Sequence, residues 1–186
     1  MTTQHDLFPS ESALEAPAAT WSPCKLYRYT LRRSWMTPAK GMFGALWGTG
    51  RIITWILLNP STADETQDDP TIRRCKEFSR SWQFDGLIIV NAYALRSTDP
   101  KGLWKVEDPN GPENDAAILG ACHEASKIVC GWGKNLRNGR RDQLAKLLRD
   151  FELSALKRNA DGSPVHPLYQ PASLVPRLFR IGGSND

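Results

Sequence analysis

One stretch restricts the architecture more than any other. In Ile52-Ile53-Thr54-Trp55-Ile56-Leu57-Leu58-Asn59-Pro60-Ser61-Thr62-Ala63-Asp64 an apolar run stops at Asn-Pro-Ser-Thr, and an acidic loop follows. A run this short and this rich in Ile and Leu fits a strand buried on both faces. Pro60 has no N–H to give to a ladder, so the strand ends there. Asn59 then falls at the carboxyl end of a central strand, the edge at which open α/β sheets bind ligands.

The remainder of the chain repeats this pattern. Tyr27-Arg28-Tyr29-Thr30-Leu31-Arg32-Arg33-Ser34-Trp35 reads as a strand with one wet face, and antiparallel pairing with the run above is expected. Glycines and Pro38 make 37–50 a turn or wide loop. Asp68-Asp69-Pro70-Thr71 is a helix start, and the helix is predicted to run to about Trp82. Leu87-Ile88-Ile89-Val90 is a second buried strand and ends at Asn91. A loop over 93–111 leads to a helix from Pro112 to about Ala125. Lys127-Ile128-Val129-Cys130 is a third strand, closed by Gly131-Trp132-Gly133. A basic helix over 138–150, with Leu144, Leu147 and Leu148 inward, leads to a fourth strand after Phe151. A turn at Asn159-Ala160-Asp161-Gly162 follows, and 174–179 is read as a last short helix.

Strand and helix alternate from the opening run onward, which implies parallel strands with helices on both faces and right-handed crossovers. The expected fold is α/β: a three-layer α/β/α arrangement around a central, mostly parallel four-stranded sheet, plus an N-terminal antiparallel strand or hairpin. Residues 1–20 read as a flexible tail and 21–186 as a single domain.

Composition narrows the class. The chain has 186 residues, enough for one real core, and no apolar run long enough to span a bilayer. Its start, Met1-Thr2-Thr3-Gln4-His5-Asp6, has neither the basic residues nor the apolar stretch of a signal peptide, so a cytoplasmic protein is expected. Four cysteines are scattered without CxxC spacing, so neither a metal nor a cofactor is expected. The net charge is +4, with Arg-rich clusters that suit either a solvated surface or phosphate contacts. There is no nucleophile elbow, P-loop lysine motif or dinucleotide glycine fingerprint, which argues against a hydrolase triad, an NTPase and a dehydrogenase.

Several residues are candidates for chemistry. Asn59 either positions a water or ligand carbonyl, or bonds its own turn. Asp64, Glu65, Asp68 and Asp69 form the densest acidic cluster, which suits either hard-cation binding or, for Asp68 or Asp69, helix capping beside a solvated loop, whereas Asp64 lies too far ahead of the helix to cap it and is the candidate general base. Asn91 carries an amide able to read a nucleobase edge. His166 is stiffened by Pro164 and Pro167, which suits stabilising negative charge or moving a proton. Trp132 is either a stacking platform for a base or a core residue. Ser61, Thr62, Tyr93 and Tyr169 are further ligand contacts, and Arg73, Arg96, Lys134 and Arg137 are candidate phosphate contacts.

Leu57-Leu58-Asn59-Pro60-Ser61-Thr62-Ala63-Asp64, Asp69-Pro70-Thr71, Asn91-Ala92-Tyr93-Ala94-Leu95-Arg96 and His166-Pro167-Leu168-Tyr169 together resemble the bacterial and phage family called domain of unknown function 1643. More distantly, Leu58-Asn59-Pro60, Asn91, Val129-Cys130-Gly131-Trp132-Gly133 and His166-Pro167 resemble, in order, four motifs of the uracil-DNA glycosylase superfamily. That likeness implies a glycosylase-like fold and an enzyme acting on a nucleobase or nucleotide, with N-glycosidic hydrolysis as its most concrete activity. It implies that Asn59, with Asp64, places the water, that Asn91 reads the base and that His166 stabilises the leaving base. The chain departs from the pattern in having no Asp at position 59 and no Ser-Pro after His166-Pro167. The alternative is a non-catalytic nucleotide or nucleic-acid binding protein, and the family's occurrence leaves open a part in phage defence or counter-defence.

Overall fold

The structure, a computed structural model, describes residues 18–35, 51–61 and 63–182. The apolar run forms β3, Ile52–Leu57, and five of its six residues are buried. It pairs in parallel with β4, Gly86–Asn91, on one edge and with β5, Lys127–Cys130, on the other. β5 pairs in parallel with β6, Leu153–Ala155. The helical crossovers are α1, Pro70–Ser81, α2, Asn114–Glu124, and α3, Asn138–Leu147.

The sheet is wider than the four strands expected from sequence. It has seven, and three of them are antiparallel additions at its edges. β2, Arg28–Ser34, was expected beside the apolar run but pairs with β4, because parallel neighbours already occupy both edges of β3. β1, Ala19–Trp21, then pairs with β2, so the end of the stretch read as a tail is part of the sheet. At the opposite edge 174–179 is not a helix. Arg177–Phe179 forms β7, antiparallel to β6. The rest of the stretch read as a tail, and the loop expected over 37–50, fall almost wholly outside the described residues.

Two apolar clusters separate the layers. On one face α1 buries Ile72, Cys75 and Phe78 against Ile53, Trp55, Leu57, Leu87 and Ile89. On the other, Ile118 and Cys122 of α2 and Leu144 of α3 pack on Ile56, Ile88, Val90 and Ile128. The start of α1 is set by Asp69, whose carboxylate accepts the Ile72 N–H at 2.9 Å, with Pro70 at the first helical position. Trp55 joins α1 to the sheet. It is fully buried, its indole N–H donates to Ser79 Oγ at 3.0 Å, and its ring stacks on Trp82 with centroids 5.7 Å apart.

The four parallel strands run in the order β4-β3-β5-β6. The chain leaves β3 toward β4 on one side and later returns to β5 on the other, which opens a crevice beyond the carboxyl end of β3. Trp55→Ala is expected to lower stability by about 3–5 kcal/mol, read as a shift in the chemical-denaturation midpoint with an unchanged slope.

Candidate functional site

A cavity of about 280 Å³ occupies that crevice. The end of β3 contributes Leu57, Leu58, Asn59 and Ser61, and the end of β4 contributes Asn91. The segment after β5 adds Trp132, Gly133 and Lys134, and the start of α1 adds Asp69, Thr71 and Ile72. His166 and Arg28 complete the wall from opposite ends of the chain. A larger cavity, about 480 Å³, lies beside β6 and β7, but none of the residues singled out from sequence lines it.

Asn91 is the most unusual of these side chains. It is 1% exposed, yet neither its amide nitrogen nor its amide oxygen has a hydrogen-bond partner among the described residues. Its backbone, by contrast, is firmly held. Asn114 Nδ2 donates to the Asn91 carbonyl at 3.0 Å, and Arg140 Nε donates to the adjacent Ala92 carbonyl at 2.7 Å. α2 and α3 thus hold the end of β4 from one face, while Asn91 belongs to the cavity lining and both hydrogen-bonding groups of its buried amide are unused.

Asn59 behaves differently. Its Nδ2 donates to the Pro60 carbonyl at 2.9 Å and to the Ser97 carbonyl at 2.7 Å. Both amide donors are therefore committed to joining the loop after β3 to the loop after β4. Only the amide oxygen is left to offer a ligand.

His166 reaches the cavity through close backbone approach. The turn at Asn159 returns the chain, and the Val165 N–H donates to the Lys157 carbonyl at 3.0 Å. The Gly133 N–H donates to the Pro164 carbonyl at 3.1 Å. A Cβ on Gly131 would stand 3.2 Å from both Pro167 Cδ and Leu57 Cδ2, so glycine there lets the His166 loop close onto the sheet. His166 Nδ1 accepts the Leu168 N–H at 3.3 Å, which places the proton of the neutral ring on Nε2. Burial holds the imidazole below its usual value, and Asp69 opposes that shift only in part.

Arg28 was noted from sequence only as part of a basic cluster. Tyr29 is an extra residue in β2: Thr20 pairs with Thr30, but Trp21 pairs with Arg28. Such a bulge re-aims the flanking side chains. Arg28 is 1% exposed, its Nη1 donates to the Ala63 carbonyl at 2.5 Å, and its Nε has no partner among the described residues. Burial pulls its guanidinium down to about 10, with Asp69 opposing the shift. The bulge needs the pairing with β1 to be seen, so no local sequence signal marks it. From sequence Asp69 suits a helix cap or one of a cluster of acidic residues, and it is the carboxylate that lines the cavity.

Most of the other described candidates lie apart from the cavity wall. Asp64 closes its own turn, accepting the Thr66 and Gln67 N–H groups at 2.9 and 2.8 Å, and the Gln67 bond is the larger cause holding its carboxyl below the usual range. Tyr93 is buried in the core, accepts the Arg137 N–H at 3.3 Å and meets Trp104 edge-on. Tyr169 is 91% exposed. Arg73 donates to the Asp68 carbonyl, Arg96 to the Ser61 carbonyl, and Arg137 lies 3.7 Å over the Trp104 ring. Trp132 lines the cavity, but its ring packs edge-on against Phe179 in the core. Thr62 lies outside the described residues. Among the described residues no group of three or more His, Cys, Asp or Glu side chains could hold a metal ion, and no helix is long and apolar enough to cross a membrane.

Two consequences are measurable without a ligand. An unpaired buried amide costs about 1–3 kcal/mol, so Asn91→Leu is expected to raise unfolding stability by that order. A fall in stability would mean that the amide has a partner. For His166 the folded value lies below the unfolded one, so below about pH 6.5 the unfolded chain binds more protons. Its contribution is complete above that pH and is lost as pH falls through the depressed folded value. Stability is expected to decline on acidification below about pH 6.5, less steeply in His166→Gln, as followed by denaturant midpoints.

No curated protein and no solved structure matches the chain. The likeness to the glycosylases therefore rests on the sequence motifs alone. A family model described as "Protein of unknown function (DUF1643)" matches residues 28–168, a span that takes in every residue named on the cavity wall, and the chain belongs to that family.

Proposed function

We propose that this protein is an enzyme acting on a nucleobase or nucleotide, and most concretely that it hydrolyses an N-glycosidic bond. The observation that carries this reading is the buried, unpaired amide of Asn91 in a small cavity. A donor and an acceptor side by side match the edge of a base, which presents the complementary pair. A ligand with that edge would supply the partners the fold withholds. A base in duplex DNA would have to leave the stack first to reach it.

The cavity also supplies groups for the reaction. Water adds to the anomeric carbon while the carbon–nitrogen bond breaks, and the base leaves with the bonding electrons. Asp69 has one oxygen on the Ile72 N–H, and its other oxygen accepts the proton that the water loses. Neutral His166 donates its Nε2–H to the departing base, a fixed dipole aimed where charge develops. In this scheme Asp69 takes the part that sequence reasoning gave to Asp64.

A second reading, binding without cleavage, is favoured by one observation. Asn59 stands where the glycosylase pattern often has Asp, and both its donors are tied to backbone carbonyls. The two readings separate by incubating the protein with normal and modified DNA and with nucleotides, then looking for released base by mass spectrometry. Hydrolysis predicts release, reduced about 10²–10⁴-fold in His166→Ala with little change in melting temperature. Base release unaffected by His166→Ala would remove His166 from the mechanism. Tight binding with no release selects the second reading.

A further inference from the structure

Base reading by Asn91 leaves Arg28 unexplained. A guanidinium 1% exposed to solvent, with an unpaired Nε, is a costly group to place on a cavity wall. Asp69 is the carboxylate that lines the cavity, yet the ion pairs among the described residues include none between it and Arg28. A second donor belongs to a residue of the same cavity lining. In the first turn of α1, Pro70 has no N–H, Asp69 Oδ1 takes the Ile72 N–H, and the Asp69 carbonyl takes the Arg73 N–H. Among the described residues the Thr71 N–H has no hydrogen-bond acceptor, at the start of a 12-residue helix, where the helix dipole favours negative charge.

Charge points the same way. The titratable side chains lining the cavity are Arg28, Lys134, Asp69 and His166. Burial keeps His166 neutral at pH 7, so two cations face one carboxylate and one positive charge is uncompensated. A cavity of about 280 Å³ is at the small end for ligand sites. An anion at Arg28 and a base edge at Asn91 therefore belong to one molecule. Of the cations read from sequence as phosphate contacts, Lys134 lines this cavity, whereas Arg73, Arg96 and Arg137 are engaged with Asp68, Ser61 and Trp104.

We infer that the ligand is a free nucleoside monophosphate, with its phosphate on Arg28 Nε and the Thr71 N–H and its base edge on Asn91. This assignment rests on the base-reading role of Asn91. It places the recognition of phosphate inside the cavity, on a residue of the antiparallel extension, and it makes a small nucleotide the substrate class in preference to a polymer.

Isothermal titration calorimetry at constant ionic strength tests it with four probes: the common nucleosides, their 5′-monophosphates, inorganic phosphate and a short single-stranded oligonucleotide. One monophosphate is expected to bind about ten- to a hundredfold tighter than its nucleoside, to be displaced by inorganic phosphate, and to lose that advantage in Arg28→Gln. The wild-type comparison decides the matter even if Arg28→Gln does not fold. Equal affinity for nucleoside and monophosphate overturns the phosphate site and leaves base reading intact. Phosphate binding that depends on Arg28, with no binding of any nucleoside or monophosphate, overturns base reading and the nucleotide assignment with it. Binding of the oligonucleotide without binding of a mononucleotide overturns the choice of a free nucleotide.

Discussion

β3 is hydrogen-bonded on both edges to parallel strands, and most of the structure follows from that. Two parallel neighbours require two crossovers, so α1 must leave β3 on one face while α2 and α3 cover the other. Neither edge of β3 is then open to an antiparallel partner, and β2 is displaced to the outside of β4. The same pairing brings the ends of β3, β4 and β5 together at one crevice, against the first turn of α1.

That crevice gathers unmet hydrogen-bonding capacity. Elsewhere several polar groups in the core are paired: Trp55 finds Ser79, Thr54 donates to the Ala121 carbonyl, and Arg140 bridges Ala92 and Asp115, although Arg32 Nε, Asn110 Oδ1 and Asn114 Oδ1 also lack partners among the described residues. On the cavity wall an amide and a guanidinium remain incompletely paired. Each missing partner costs about 1–3 kcal/mol, and unfavourable terms of this kind persist where a ligand relieves them. The backbone around them is well held, by Asn114 and Arg140 behind Asn91 and by the Arg28 N–H donating to the Ala94 carbonyl. The site is a stiff frame around unmet hydrogen-bonding capacity.

Legibility differed from residue to residue for physical reasons. Asn91 and His166 were readable because strand ends and proline-flanked loops leave local marks, and both line the cavity. Asp64 looked like the free carboxylate because it precedes the helix, but short-range bonds to Thr66 and Gln67 close a turn around it. Asp69 looked like a simple cap, yet capping uses only one of its oxygens. Leu174 and Leu178 lie four apart, as in a helix. The segment is nonetheless an edge strand, because the open side of β6 offers Arg177–Phe179 a ladder and Phe179 a place in the core.

The sequence by itself determined the alternation of strand and helix, the parallel centre of the sheet, and the delivery of Asn59, Asn91, Trp132 and His166 to one edge. These depend on local periodicity and on breakers such as Pro60, which act within a few residues. Tertiary structure alone decided which of those groups stay unpaired. It tied Asn59 to the Ser97 carbonyl, left Asn91 without a partner, and turned Arg28 inward through a bulge that exists only where β1 meets β2. Hydrogen-bond satisfaction depends on atoms brought together from distant parts of the chain, and no local pattern records it.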